Sequence, residues 1–378
     1  MYEKKEICII YIITKLELGG AQKICLSLFH DLSDQFSTHL ISGTEGILVN
    51  KVQYEKNVHL LVDFKREVSW QGIWWEMKAF VSLIQQLRTI KKKYTITIVH
   101  THSTKAGILG RWAAFFAGIK TRIHTVHGFG FHPYQNTLVW LIHYTLEALT
   151  SLITTQYICV SQADIKTGIR ILPFFKHTHI LIRAAVPLEK FQTSVHSSPV
   201  DGLFIFGTVA CFKKQKNLFD LLEAFKLCYE KNPQVRLEIM GDGHQRPEIE
   251  LWIHTHNFHH VITLHGWKDN VASIMRSWHT FALTSLWEGL PCAIVEARSL
   301  KLPVIAYDTG GISDIIFHGH NGFLCPPKNI KQFSQLMFHL STDYNLFEQF
   351  QNFRDNLVQF NHQEMLKKHS KLYTNYPT

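Results

Sequence analysis

Short, almost unbroken apolar runs alternate with longer helical patterns along this chain, and that alternation limits its fold more than any other feature. In the first half the runs read ICIIYIIT, ITIVHTH, RIHTVH and YICVS; in the second they read LFIFGTVA, VRLEIMG, VITLHG, TFALTS and PVIAYD. Continuous apolar runs belong to strands buried on both faces, and so to parallel sheets covered by helices. The stretch from Arg183 to Gly202, RAAVPLEKFQTSVHSSPVDG, interrupts the pattern with Ser and Pro and reads as a linker. A strand begins again at Leu203, as one does at Ile7. The expected fold class is α/β, with two doubly wound domains: residues 1–190 and residues 191–356.

Length and composition are consistent with this. With 378 residues, 46% of them hydrophobic, the chain can build two or three cores, and 18% charged residues exclude a disordered chain. A net charge of +9 points to anionic partners: nucleic acid, an anionic membrane or anionic small molecules. The seven cysteines are scattered, odd in number and without a C-x-x-C pair, which fits buried thiols in a reducing compartment. The N-terminal apolar run is short, flanked by Glu6, Lys15 and Glu17, and reads as a first strand rather than a signal peptide. Arg111 interrupts the apolar helix near Ile108–Ile119, and His143 and Glu147 interrupt the one near Leu138–Ile153, so neither reads as a membrane span.

In open parallel sheets, ligands bind outside the carboxyl ends of the strands. The unusual residues of this chain sit there: Gly19-Gly20, His102 and His127-Gly128 in the first half; Cys211 to Lys216, Gly241-Asp242-Gly243, Glu288 and Gly310-Gly311 in the second. The stretch SLWEGLPCAIVEARSL places Glu288 at a strand end and Glu296 about a turn inside the following helix. Pro291 suits that helix's first turn, and Ala293, Ala297 and Leu300 are expected on its buried side. Two carboxylates and free helix-end amides then converge on one spot suited to hydroxyl donors. Gly310-Gly311 is expected to open another helix, ISDIIF, with amides approaching an anion; together with Lys216 it reads as a phosphate site. Lys213, Lys214 and Lys216 share one loop, where lysines are more often solvated than functional.

The order Gly-Gly-Ala-Gln, His-Gly, Gln-Lys-Asn, Gly-Asp-Gly, Glu-x7-Glu, Gly-Gly resembles a GT-B glycosyltransferase, of the retaining, nucleotide-sugar-dependent family 4. The resemblance covers essentially the whole chain and is strongest from Gly207 to Pro327. It implies two Rossmann-like domains facing across a cleft, the N-terminal one on the acceptor side and the C-terminal one on the donor side. A helix over about 357–378 is expected to pack back on the first. No cofactor and no metal are implied beyond the nucleotide-sugar donor. By position, the resemblance implies that Glu296 holds the ribose and Glu288 contacts the transferred sugar, helped by amides near Leu290 and Pro291. Lys216 neutralises the departing diphosphate, with Lys213, Gly241, Gly310 and Gly311 also on the donor side. Gly19 and Gly20 let the first helix approach the phosphate, and His127 touches the sugar.

Three departures stand out. Cys211 occupies the place of the family's usual Arg, with Lys213 as a candidate stand-in; Asp314 replaces a Glu; and Ala184-Ala185-Val186-Pro187 replaces Asn-Gly-Val-Asp. The expected acceptor is a growing polysaccharide or lipid-linked glycan. Alternatives are a nucleotide-sugar epimerase of the same fold and an inactive nucleotide-sugar-binding subunit. A nucleic-acid partner is not expected, because the lysines do not group into a reading helix. The run HTHNFHH, His254 to His260, reads as surface histidines rather than a metal site.

The expected location is the cytoplasm, with peripheral contact on the inner face of an anionic membrane as an open option. That option rests on WQGIWWEMKAFVSLIQQLRTIKKK. Its stripe of Ile73, Met77, Phe80, Ile84 and Leu87 is expected to pack on the sheet. Trp70, Trp74, Trp75 and the terminal lysines Lys91 to Lys93 are left for the interface.

Overall fold

A computed structural model describes residues 6–64, 72–191, 202–268 and 270–376, with the side chains of 72–75 outside that description. Trp70, the side chains of Ile73, Trp74 and Trp75, and linker residues 192–201 therefore lie outside it.

The chain divides into two compact units, Met1–Ala185 with Gln363–Thr378, and Val186–His362. The division falls five residues before the expected boundary, and the returning segment starts at 363 rather than 357.

The first unit runs β1 (Ile7–Ile13), α1 (Gly20–Asp31), β2 (Ser37–Gly43), α2 (Val49–Val52), β3 (Val58–Leu61), α3 (Gly72–Lys91), β4 (Ile96–His102), α4 (Thr104–Phe116), β5 (Thr121–Val126), α5 (Thr137–Ser151), β6 (Gln156–Cys159), α6 (Gln162–Ile171) and β7 (His179–Leu181). Its seven strands lie in the order β3-β2-β1-β4-β5-β6-β7, and every pairing is parallel. The order turns at β1, so the loops after β1 and β4 part there, which is where such sheets open a crevice.

The second unit runs β8 (Phe204–Val209), α7 (Leu218–Tyr229), β9 (Val235–Met240), α8 (Arg246–Thr255), β10 (Ile262–Gly266), α9 (Val271–Met275), β11 (Thr280–Leu283), α10 (Cys292–Ser299), β12 (Val304–Tyr307), β13 (Gly322–Cys325), α11 (Ile330–Thr342) and α12 (Tyr344–Asn352). Its sheet has the order β10-β9-β8-β11-β12-β13, again parallel throughout. The last helix, α13 (His362–Thr374), carries the chain back into the first unit.

Apolar strand residues explain both sheets. Ile9, Ile10, Ile12, Ile98 and Val99 are fully buried in the first, as are Phe206, Leu237, Ile239, Phe281 and Ile305 in the second. Two expected helices differ in detail. α3 turns Ala79, Leu83, Leu87 and Ile90 inward, while Met77 is 56% exposed, so its buried stripe is rotated from the expected one. On α10, Ala297 and Leu300 are buried but Ala293 is only half-buried; Arg298 is buried instead. Among the described residues, no helix is long and apolar enough to cross a membrane.

Candidate active site

Three neighbouring strands of the second unit, β8, β11 and β12, end in loops that are bonded to one another. Gln215 donates through Nε2 to the carbonyl of Trp287 at 2.7 Å, and the amide of Leu286 donates to the carbonyl of Gln215 at 2.9 Å. Thr284 donates its hydroxyl to the carbonyl of Asn217 at 2.9 Å. These bonds bring Lys216 and Glu288 together: Nζ of Lys216 donates to Oε1 of Glu288 at 2.5 Å. The side chains are 17% and 8% exposed, so the pair is held in a poorly hydrated place. The resemblance assigned the two residues to different parts of the donor; the geometry makes them one unit. Asn217, at φ 48°, turns the chain sharply into α7 directly behind them.

The loop after β12 completes this corner. Gly310 sits at φ 56°, and a Cβ built there would lie 1.9 Å from the carbonyl oxygen of Glu288. Only glycine lets the two loops approach this closely. The amide of Gly311 donates to the carbonyl of Gly289 at 2.7 Å, so it is engaged within the protein rather than open to an anion. Nor does the pair open an α-helix: Ile312–Asp314 is a single 3₁₀ turn. The expected helix start at Gly310-Gly311 is thereby corrected to a single turn. Gly310 serves the close approach of the two loops.

Gly241 plays the same part on the other side of β8. At φ 128°, it lies against the carbonyl of Ala210, where a Cβ would come within 1.9 Å. Cys211 and Lys213 follow on that loop, both half-buried, with the amide of Lys213 bonded to the carbonyl of Cys211 at 2.8 Å. Pro291 is the residue preceding α10, in extended conformation, and Leu290 is buried beside it. Glu296 is half-buried one turn into the helix.

In the first unit, Gly19 precedes α1 and Gly20 begins it. His127 stands after β5, half-buried. Its Nε2 lies 2.9 Å from Nδ1 of His102, and the rings stack with centroids 5.3 Å apart. His102 lies tilted against His100, with ring centroids 4.4 Å apart. His100 is bonded at Nδ1 to the hydroxyl of Tyr373 on α13 and at Nε2 to that of Thr125. Desolvation and the neighbouring imidazoles push His100 and His102 well below the ordinary histidine range; burial and His369 lower His127 as well. His127 is therefore an uncharged imidazole at neutral pH, able to make a hydrogen bond but not to supply a cation.

The sequence reading singled out His102 and His127 but not the ladder behind them. The signal was available: His-x-His on a strand puts both rings on one face. Tyr373 carried no local signal, since it arrives from 273 residues away. The HTHNFHH run gives no cluster: His256 lies 2.8 Å from the carbonyl of Trp252, and His260 lies beside Tyr229.

Known proteins share this layout. Residues 191–356 match the family model described as Glycosyl transferases group 1, and residues 18–176 match Glycosyltransferase Family 4. The UDP-Gal:alpha-D-GlcNAc-diphosphoundecaprenol alpha-1,3-galactosyltransferase of Escherichia coli is 32% identical over 94% of each chain. The chain belongs to the GT-B glycosyltransferases of family 4. The capsular polysaccharide biosynthesis glycosyltransferase CapM of Staphylococcus aureus is 23% identical, covering 78% of this chain and 79% of its own. Among solved structures, Anabaena HepE in complex with UDP and glucose superposes with a TM-score of 0.79 over 97% of this chain and 99% of its own, at 17% identity. This family 4 enzyme thus has the GT-B architecture of two parallel-sheet, Rossmann-like units.

Proposed function

We propose that this glycosyltransferase moves a hexose from a uridine-diphosphate sugar to a hydroxyl of a lipid-linked glycan, with retention at the anomeric carbon. The observation that carries the proposal is the Lys216–Glu288 pair, fixed by three bonded strand-end loops. The donor and acceptor classes are supported by the galactosyltransferase that is 32% identical over nearly the full length.

In the proposed step the bond from the anomeric carbon to the diphosphate oxygen breaks, and a bond to the acceptor oxygen forms on the same face. The acceptor's proton passes to the departing diphosphate, which leaves carrying it. Lys216 stabilises the charge that grows on the diphosphate, where a preorganised cation lowers the barrier most. Glu288 holds Lys216 in position beforehand and accepts a hydroxyl of the sugar. Glu296 accepts from the ribose hydroxyls. His127 offers the sugar a neutral imidazole, oriented by His102. We extend the proposal to turnover without a divalent metal, with Lys216 in the metal's place beside the phosphates.

The test has two parts. A thermal-shift screen of nucleotide sugars should single out a uridine-diphosphate hexose, because a ligand that binds only the native state raises apparent stability. NMR of the product formed from that donor, in the presence of EDTA, should show an unchanged anomeric configuration. An inverted anomer, or activity that EDTA abolishes and manganese restores, overturns the mechanism. Epimerised donor formed without acceptor would point to the epimerase instead.

A further inference from the structure

Helix α5 turns an apolar stripe outward. A surface helix normally buries its apolar stripe and exposes its polar one. Here the inward face carries Glu147, Thr150 and Ser151, all buried, beside Tyr144 and Ala148, which pack on the core. Glu147 accepts from Nη2 of Arg111 through both oxygens, at 2.8 and 2.9 Å, so the only charged residues of α4 and α5 that face each other cancel in the interior. The outward face carries Leu138, Ile142, Leu146, Leu149 and Leu152 at helical spacing, each between 42% and 65% exposed. The one charged residue of the helix is thus spent inside, which leaves an outer surface with no charge along the length of the helix.

We infer that this outward face of α5 is a docking surface for an anionic lipid bilayer, lying in the headgroup region with its leucines inserted. The charge around it selects this occupant. Glu147 is the only acidic residue from Lys105 to Gln162, and it is buried. Cations are fixed beside the apolar surface at the far ends of α4 and α5. Arg122 donates through Nε to the carbonyl of Ile153 and lies over the ring of Phe115. Arg88 donates to the carbonyl of Phe116, and Lys91 to that of Gly118. Phe115 and Phe116 are themselves 45% and 52% exposed. Apolar side chains flanked by fixed Arg and Lys match a bilayer whose apolar interior lies beneath anionic headgroups. A second copy of the chain fits less well, because the stretch from Lys105 to Gln162 offers no exposed acidic residue to meet the other copy's cations.

The placement also has a consequence for the reaction. The loop that follows His127 runs directly into α5, tied by Gln135 donating to the carbonyl of Gly130 at 2.8 Å. A docked α5 therefore holds His127 close to the level at which a lipid-borne hydroxyl presents itself. The docking inference does not rest on the proposed donor or mechanism, and its test uses neither.

The experiment is flotation of the full chain with vesicles of phosphatidylcholine mixed with phosphatidylglycerol, and with vesicles of phosphatidylcholine alone. The wild type should float with the mixed vesicles and much less with the neutral ones. Ile142→Glu combined with Leu149→Glu should cut binding by about tenfold or more, since each inserted side chain contributes on the scale of a fully buried aliphatic residue. Both positions are exposed, so the thermal midpoint should hold; Ile142→Ser with Leu149→Ser is the milder pair if it does not. Met77→Glu with Val81→Glu, on the exposed side of α3, should leave binding unchanged. The inference is overturned if the wild type does not float, if both vesicle types bind alike, or if the α3 pair abolishes binding while the α5 pair does not. A dimer that the α5 pair dissociates would assign the face to a second copy instead.

Discussion

The first unit buries histidines where the second buries phenylalanines. His39, His100, His102, His124 and His369 are buried in the first, against His279 in the second. The largest cluster of the second unit is built instead on Phe204, Phe206, Phe212, Phe225, Phe258, Phe323, Phe333, Phe347 and Phe350. Yet both sheets follow the same order through their first six strands, starting from an edge and turning at the first strand. The shared order fixes where loops converge, at the carboxyl ends beside that first strand. It leaves open what the interior is made of. In the second unit an apolar interior supports loops that are stitched to each other, which suits the rigid donor site proposed above. In the first, the polar groups run through the interior as a ladder that reaches His127.

The comparison breaks hardest at a feature the units share. Each buries an arginine against a carboxylate: Arg111 with Glu147, and Arg298 with Asp355. Arg298 is also bonded to the carbonyls of Leu302 and Phe350, and Asn321 donates to Asp355, so this pair ties three segments. Removing one partner strands a buried charge. Glu147→Ala and Asp355→Ala should each cost about 3–5 kcal/mol of stability. Urea unfolding followed by circular dichroism reads this directly. A cost below about 1 kcal/mol at either site would mean that the pair is not what fixes its helices.

A smaller effect separates the units by function. Lys216→Ala should lower turnover by about 100-fold or more, on the scale of one lost transition-state donor. Glu288→Gln should lower it too, because Lys216 loses the carboxylate that positions it. The two should be non-additive in a double-mutant cycle, since the side chains are directly bonded. Additive losses would show that each acts alone on the donor, as the sequence resemblance implied.

Much of this was legible beforehand, and the misses have physical causes. Nine strands were visible as apolar runs; β2, β3, β7 and β13 were not. β2 reads STHLISG, with Ser, Thr and His at buried or half-buried positions, and the other three are only three or four residues long. Lys216, Glu288 and Gly310 were each identified, because strand ends and glycines mark themselves. That Lys216 and Glu288 bond each other was not visible, since it depends on Gln215 and Thr284 joining two loops. Gly310-Gly311 looked like a helix start because the following residues are apolar; the chain makes one 3₁₀ turn and moves on to β13. The outward leucines of α5 were read as part of an ordinary apolar helix, because a sequence does not say which face a paired Glu147 will take.

The mildest test uses pH to probe the histidines buried in the first interior. His369 donates through Nδ1 to the carbonyl of Met365 at 2.9 Å, while its Nε2 is buried with no partner among the described residues. Burial lowers its pKa from the ordinary 6.5 to about 4, against a small opposing pull from the Met365 bond. His39 is lowered to about 4 for the same reason, with His59 and Lys93 adding repulsion. A lowered histidine pKa means that the unfolded chain binds more protons than the folded one between the two values. The stabilising contribution of the neutral form is therefore complete above about pH 6.5 and is lost as pH falls towards 4. Each such histidine should tilt stability by up to about 1.4 kcal/mol per pH unit in that window. His369→Gln keeps a polar side chain at the site but cannot be protonated. It should flatten the pH dependence of the urea midpoint between about pH 6.5 and 4 by close to one proton's slope, whatever it costs at neutral pH. If His369→Gln leaves the slope as it was, the buried histidine is not what makes the first interior sensitive to acid.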